Sequence, residues 1–129
     1  MLLVKTKITL SPTHGIGLFA DQFISAGTHT WRFVPDFDIE KTADQLPLFP
    51  AHIQSWFKQY AYLDFHLGTF ILCADDARFM NHSDNPTVSP DYSLDPYGVD
   101  VATRDIESGE EITTDYRLIE KENWLDLRS

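Results

Sequence analysis

Arg78-Phe79-Met80-Asn81-His82-Ser83 and, about thirty residues later, Glu110-Glu111-Ile112-Thr113-Thr114-Asp115-Tyr116 carry the densest chemistry of the chain. The first stretch sets an amide, an imidazole and a hydroxyl in consecutive positions behind an apolar pair. The second runs a strand-like segment into a tyrosine close to the C-terminus. Nearer the N-terminus, Gly15-Ile16-Gly17-Leu18-Phe19-Ala20 offers two residues without a Cβ, which lets backbone approach a ligand closely. Each stretch also has an ordinary structural reading. Glycine pairs mark common turns, and a dinucleotide fingerprint is excluded because the third Gly is missing and no strong helix follows. Asn81 and Ser83 suit turn caps with His82 in a polar pocket, and Tyr116 suits a core position with its hydroxyl tied to a carbonyl. A metal site built on His82, Asp84 and another histidine lacks ligand spacing, since His14, His29, His52, His66 and His82 are scattered.

The bulk composition narrows the choices. A chain of 129 residues suits one domain over 1–129 that buries about two-thirds of its unfolded surface. A content of 43% hydrophobic and 13% aromatic residues predicts a packed core. The net charge of −10 argues against an electrostatically driven nucleic-acid binder, which needs a basic face. It favours capture of basic partners, or serves solubility alone. Cys73 is the only cysteine, so neither an internal disulfide nor a Cys-rich zinc site can form within the chain. Its apolar neighbours Phe70, Ile71 and Leu72 suggest a buried small hydrophobe. Lys5, Thr6 and Lys7 interrupt the apolar N-terminus, and no stretch approaches membrane-spanning length. The expectation is an intracellular, cytoplasmic protein.

Hydrophobic periodicity gives a coarse map. Residues 2–10 alternate as a half-exposed strand, Ser11 to Gly15 break it, and Gly17 to Ala20 resume. Thr28, Thr30, Trp31 and Phe33 favour strand, whereas Val34 to Ile39, with Pro35 and two Asp, reads as an exposed or substrate-facing connection. Leu48, Phe49, Ile53, Trp56, Phe57 and Tyr60 recur at helical spacing and predict a helix at about 51–60, Pro50 being tolerable in its first turn. Tyr62–Phe65 and Thr69–Cys73 flank His66-Leu67-Gly68 as a hairpin. Asp75 to Met80 is short and helical, Asn81 to Pro90 loop, Tyr97 to Thr103 strand, Ile112 to Tyr116 strand, and Leu118 to Leu127 a terminal helix. Many short strands with few helices predict a mostly-β fold.

Taken together and in order, the three segments resemble the SET-domain protein-lysine methyltransferases. That family carries a Gly-x-Gly segment ending in an apolar pair and Ala, an Arg-Phe-x-Asn-His-Ser segment, and a late Gly-Glu-Glu-Ile/Leu-x-x-x-Tyr segment. Here these are Gly15 to Ala20, Arg78 to Ser83 and Gly109 to Tyr116. Ile24 to Gly27 and Asn85-Pro86 match lesser features, so the resemblance spans about residues 5–117. It implies small sheets of short strands, a pseudoknot between the Asn-His-Ser segment and the last strand, a variable helical insert at 42–60 shaping the substrate groove, and a helical tail at 117–129.

The resemblance also implies S-adenosyl-L-methionine (SAM) as cofactor. Gly15, Ile16 and Gly17 would line its methionine end, with Arg78, Phe79 and Asn81 alongside and Asn81 holding its amino group. His82 would meet the adenine through its main chain, and Tyr116 would stand beside the sulfonium methyl. Tyr60, Tyr62, Phe65 and Phe33 are candidate walls for a lysine channel, each equally readable as core. Asp84 stands where many members have a zinc-binding Cys, and the tail has none, so no zinc is expected. Trp124 is a candidate to stack on adenine or to anchor the tail. The Trp31-Arg32-Phe33-Val34-Pro35 run departs from the family's usual Glu-Tyr-x-Gly, so substrate preference does not carry over. The implied protein is a compact stand-alone enzyme of viral or bacterial type. It would methylate lysine on a basic, histone-like or ribosomal protein, with nucleoid or chromatin association if the target is histone-like. Homodimers through the terminal helix would be possible. The alternatives are a catalytically silent peptide-binding module and a metal-dependent hydrolase.

Overall fold

Short apolar runs broken every few residues by Gly, Pro or Asp leave room only for short strands, and the computed structural model, which describes residues 1–119, has ten of them. In chain order they are β1 (Thr6–Leu10), β2 (Ile16–Ala20), β3 (His29–Trp31), β4 (Ile39–Lys41), β5 (Tyr62–Leu63), β6 (Phe70–Leu72), β7 (Asn81–His82), β8 (Val88–Asp91), β9 (Val99–Ala102) and β10 (Glu111–Thr114). One α-helix, α1 (Ala51–Tyr60), lies between β4 and β5, preceded by a 3₁₀ turn at Leu46–Leu48. Further 3₁₀ turns occupy Asp76–Phe79 and Tyr116–Leu118.

Three small sheets result. The first has the order β1-β2-β10-β7, the second β3-β9-β8 and the third β4-β6-β5. In the first, β10 is antiparallel to β2, with Ile112 opposite Leu18, and parallel to β7, with Thr113 and Thr114 opposite Asn81 and His82. Ser83 N and Thr87 N donate to Thr114 O and Thr113 O, so residues 81–87 wrap along the last strand. This is the crossing that the mostly-β, SET-like reading requires. Leu18, Ile24, Val88, Ile106 and Ile112 fill the core beneath this sheet, each essentially inaccessible. A second cluster joins α1 to the third sheet through Phe57, Phe70 and Leu72, and a third gathers Trp31, Phe33, Ile71 and Cys73. Cys73 is buried, and burial pushes its thiol well above the usual value.

Several expectations need correction. The Val34–Ile39 connection is exposed at Pro35, Asp36, Phe37 and Ile39, as expected, but it is also anchored from within. Its Asp38 is buried and accepts hydrogen bonds from the Met1 ammonium (2.7 Å), Val34 N (2.9 Å) and Ala74 N (3.1 Å), pinning three segments together. Ile39 then opens β4, which pairs with β6. Asn81 to Pro90 is not all loop, since it contains β7 and the start of β8. In the helix, which matches its expected bounds, Phe57 is buried but Trp56 is exposed, as is Leu48 just before it, because the helix covers the sheet with one narrow face. Tyr116–Leu118 is a 3₁₀ turn, and the terminal helix expected over Leu118 to Leu127 lies, from residue 120 on, outside the described residues, as do Trp124 and the expected dimer contact.

Candidate active site

Gly15 sits at φ +47° in the turn between β1 and β2, and the space where a Cβ would point is open. Gly17 has a different reason to be glycine. A Cβ there would fall 2.5 Å from Glu111 Oε2 and 3.0 Å from Ser11 Cβ. The Glu111 carboxylate is itself fixed, accepting from Ser11 Oγ (2.8 Å) and Asn81 Nδ2 (2.9 Å). Asn81 Nδ2 also donates to His14 O at 3.0 Å, so one buried amide fastens the β7–β10 pair to the glycine turn.

His82 positions the tyrosine. The Tyr116 backbone N–H donates to His82 Nδ1 at 3.1 Å, which assigns the ring proton to Nε2, 3.0 Å from Asp84 Oδ1. Asp115 caps the following turn by accepting from Arg117 N at 3.0 Å, and the Arg117 side chain beside it holds its carboxyl below the usual range. The Tyr116 hydroxyl donates to Met80 O in a short hydrogen bond. With its proton committed to that carbonyl, the phenol oxygen turns lone pairs toward whatever lies in front of it.

Two spaces meet there. An open cleft of about 800 Å³ runs along His14, Gly15, Ile16, Phe79 and Asn81, within the size range of small-molecule sites. A narrow channel of about 90 Å³ runs between Trp31, Tyr62, Tyr97, Asp100 and Thr114. Tyr60, Arg78, Met80 and Tyr116 line both. The Arg78 guanidinium lies 4.9 Å from the centroid of the Phe79 ring and 5.9 Å from that of Tyr60, a cation held by two aromatic faces.

Of the residues singled out from sequence, Gly15, Ile16, Arg78, Phe79, Asn81 and Tyr116 come together on the cleft, and Tyr60 and Tyr62 on the channel. Gly17 and the His82 ring stand behind the cleft and support it. Phe33 and Phe65 line neither space. Phe33 is buried and stacked on Tyr97 at 4.0 Å between centroids, and Phe65 is 58% exposed, meeting Ile119 only through its backbone N–H. Sequence reasoning missed Glu111 as a fastening carboxylate and Asp100 as a channel residue. Asp100 had left a signal, a lone charge inside the apolar strand Val99-Asp100-Val101-Ala102. Burial pushes its carboxyl up to about 7, partly opposed by the Met1 ammonium. Burial likewise pushes the Tyr62 phenol far above its usual value. Among the described residues no group of three His, Cys, Asp or Glu could hold a metal ion, and no helix is long and apolar enough to cross a membrane.

Comparison with known proteins agrees with this fold. The SET domain family model matches residues 15–117. Among solved structures, a Plasmodium falciparum protein described as a candidate histone methyltransferase superimposes with a TM-score of 0.58 at 19% identity, over 89% of this chain and 95% of that one. No curated protein matches.

Proposed function

The chain belongs to the SET-domain family of protein methyltransferases, and from that premise we propose that it transfers methyl groups from SAM to lysine side chains of a basic protein. The observation that carries the reading is the meeting of a wide cleft and a narrow aromatic channel at the Tyr116 hydroxyl. A two-substrate displacement needs such a layout, because cofactor and protein substrate must enter from different sides and touch at one point.

The residues of the cleft fit SAM. Gly15 leaves bare backbone facing open space, the backbone of His14 and Ile16 supplies polar atoms, and Arg78 supplies a fixed cation for a carboxylate. Bound there, SAM supplies an electrophilic methyl group on a positively charged sulfur. Asn81 Nδ2, engaged with Glu111 and His14, holds the turn in shape, which orients the side chain on the cleft so that its Oδ1 can accept from the amino group of SAM.

On the other side, Tyr60 and Tyr62 wall a channel narrow enough for an alkyl chain. Methyl transfer is an in-line displacement, so alignment of nitrogen, carbon and sulfur supplies most of the barrier reduction. Lysine arrives with a pKa near 10.4 and must lose a proton first, and an aromatic, poorly hydrated channel favours the neutral amine. The Tyr116 hydroxyl donates its hydrogen bond to Met80 O, which orients its oxygen as an acceptor for the amine and toward the positive charge spread over the methyl in the transition state. His82, through the Tyr116 N–H, fixes the phenol at that point.

The test is transfer of labelled methyl from SAM to histones and to a lysate, with Tyr116→Phe in parallel. Loss of roughly 10²–10³-fold in kcat with unchanged SAM affinity is expected, the usual scale for one preorganised polar group. Full activity in the variant would remove Tyr116 from the mechanism. Absence of both transfer and SAM binding in the unmodified protein would favour the silent peptide-binding module.

A further inference from the structure

The Glu111 carboxylate is half-buried and every donor that reaches it is neutral. Ser11 Oγ lies at 2.8 and 3.0 Å from its two oxygens, Asn81 Nδ2 at 2.9 Å and Thr13 Oγ1 at 3.4 Å. Among the described residues no Lys, Arg or His forms an ion pair with it. Gly17 gives up its Cβ to admit the group, since a carbon there would fall 2.5 Å from Oε2. Charges removed from water ordinarily face an opposite charge. The space beside this one is the wide cleft, with His14, Ile16 and Asn81 on its lining. Asn81 Nδ2 donates to His14 O (3.0 Å), Ile16 O (3.4 Å) and Glu111 Oε2, which leaves Asn81 Oδ1 an acceptor with no donor among the described residues. Acceptors grouped in front of an uncompensated carboxylate repel an anion and suit an ammonium, whose three donors can meet several of them. Arg78 supplies the opposite sign on the same cleft. Two such poles match the zwitterionic end of an amino acid.

We propose that Glu111 is a positioning residue for the cofactor. Its carboxylate fixes the Asn81 amide with Oδ1 toward the cleft and supplies the counter-charge for the α-ammonium of SAM. The proposal rests on the SAM reading above and deepens it. A carboxylate only accepts, so it bonds Asn81 through Nδ2 alone, and the amide cannot turn over and present a donor to the ammonium. Ser11 holds the carboxylate from its other side, and Ser11 Oγ accepts from Thr13 N at 3.1 Å. The loop leading into Gly15 is thereby tied to the same group. One charge thus shapes the turn, orients the amide and attracts the cation, although it touches the cofactor nowhere.

The experiment measures, by calorimetry, binding of S-adenosyl-L-homocysteine and of its analogue lacking the α-amino group, so no methyl transfer is needed. The first compound has no sulfonium charge, and the two differ only at the amine. Two variants of the full chain reach the carboxylate independently. Glu111→Gln removes the charge and keeps the shape. Gly17→Ala keeps the charge and pushes the carboxylate off Asn81. The unmodified protein should bind the amino compound roughly tenfold or more tightly than the analogue. Each variant should lose roughly tenfold of that preference, the scale for one charge partner at a partly screened site, while the analogue binds as before. A turn that merely collapsed would weaken both compounds alike. Equal losses for both in either folded variant, or no preference in the unmodified protein, overturn the proposal and leave the SAM reading standing. Binding of neither compound by the unmodified protein overturns both.

Discussion

Asp100 makes a cost at the residue scale visible. Its carboxyl titrates near 7 in the folded protein, against about 3.9 for an unfolded aspartate. Between those values the native state binds more protons than the unfolded one, so stability falls as pH rises from about 4 to about 7 and is flat above. At about 1.4 kcal/mol per pH unit, softened by water in the channel, the penalty is on the order of 2–4 kcal/mol. Asp100→Asn should therefore be more stable than the unmodified protein at pH 8 by that order, and equal to it at pH 3.5. Urea denaturation at both pH values checks this, and a variant less stable at pH 8 would show that the carboxylate has a partner. Gly17 illustrates the opposite case. The resemblance assigned it to the cofactor, yet its missing Cβ makes room for Glu111, a carboxylate one hundred positions from Ser11, to which it bonds. Spacing in the sequence carries no trace of such a contact.

At the scale of elements, what was legible followed from local signals. The helix at Ala51–Tyr60, the hairpin around His66–Gly68, and the strands at Val99–Ala102 and Glu111–Thr114 each have periodicity or a turn signature within their own segment. β4 and β7 do not. β7 is two residues whose strand character exists only because β10 lies parallel beside them, and two residues have no period. The same applies to the site. The motif residues Asn81, His82 and Tyr116 stand out by type, but the hydrogen bonds that make Asn81 a fastener and His82 a positioner come from distant chain. The β5–β6 hairpin, which carries the Tyr62 channel wall, is closed by Asp64, fully buried and accepting from His66 N (2.8 Å), Leu67 N (2.7 Å) and Tyr92 Oη (3.2 Å). Asp64→Ala removes one buried acceptor from three partly buried donors and should cost about 1–3 kcal/mol, read by thermal or urea unfolding. A change below about 0.5 kcal/mol would mean that the turn holds its shape through Gly68 and the strand ladder alone.

Across the whole molecule the charges divide into two populations. A few carboxylates, among them Asp38, Asp64 and Glu111, are committed to internal hydrogen bonds. Others among the described residues, including Asp21, Asp36, Asp44, Asp84, Asp105 and Glu107, are exposed, and with 20 acidic residues against 10 Lys and Arg the chain carries a negative field. Such a field gathers basic peptides before they dock, raising the encounter rate by roughly 10–10³-fold at low salt. In the proposed reaction it does nothing for the chemical step, which would take place in the channel beside Tyr116. Salt therefore separates the two contributions. The screening length shrinks from about 30 Å at 0.01 M to about 8 Å at 0.15 M, shorter than the reach needed to steer a peptide. For a Lys/Arg-rich peptide, kcat/KM should fall by roughly tenfold over that interval while kcat stays constant. The same target lysine in an uncharged flanking sequence should change by less than about twofold. Equal salt dependence for both peptides would place the acidity with solubility and leave selection of the target to the groove alone.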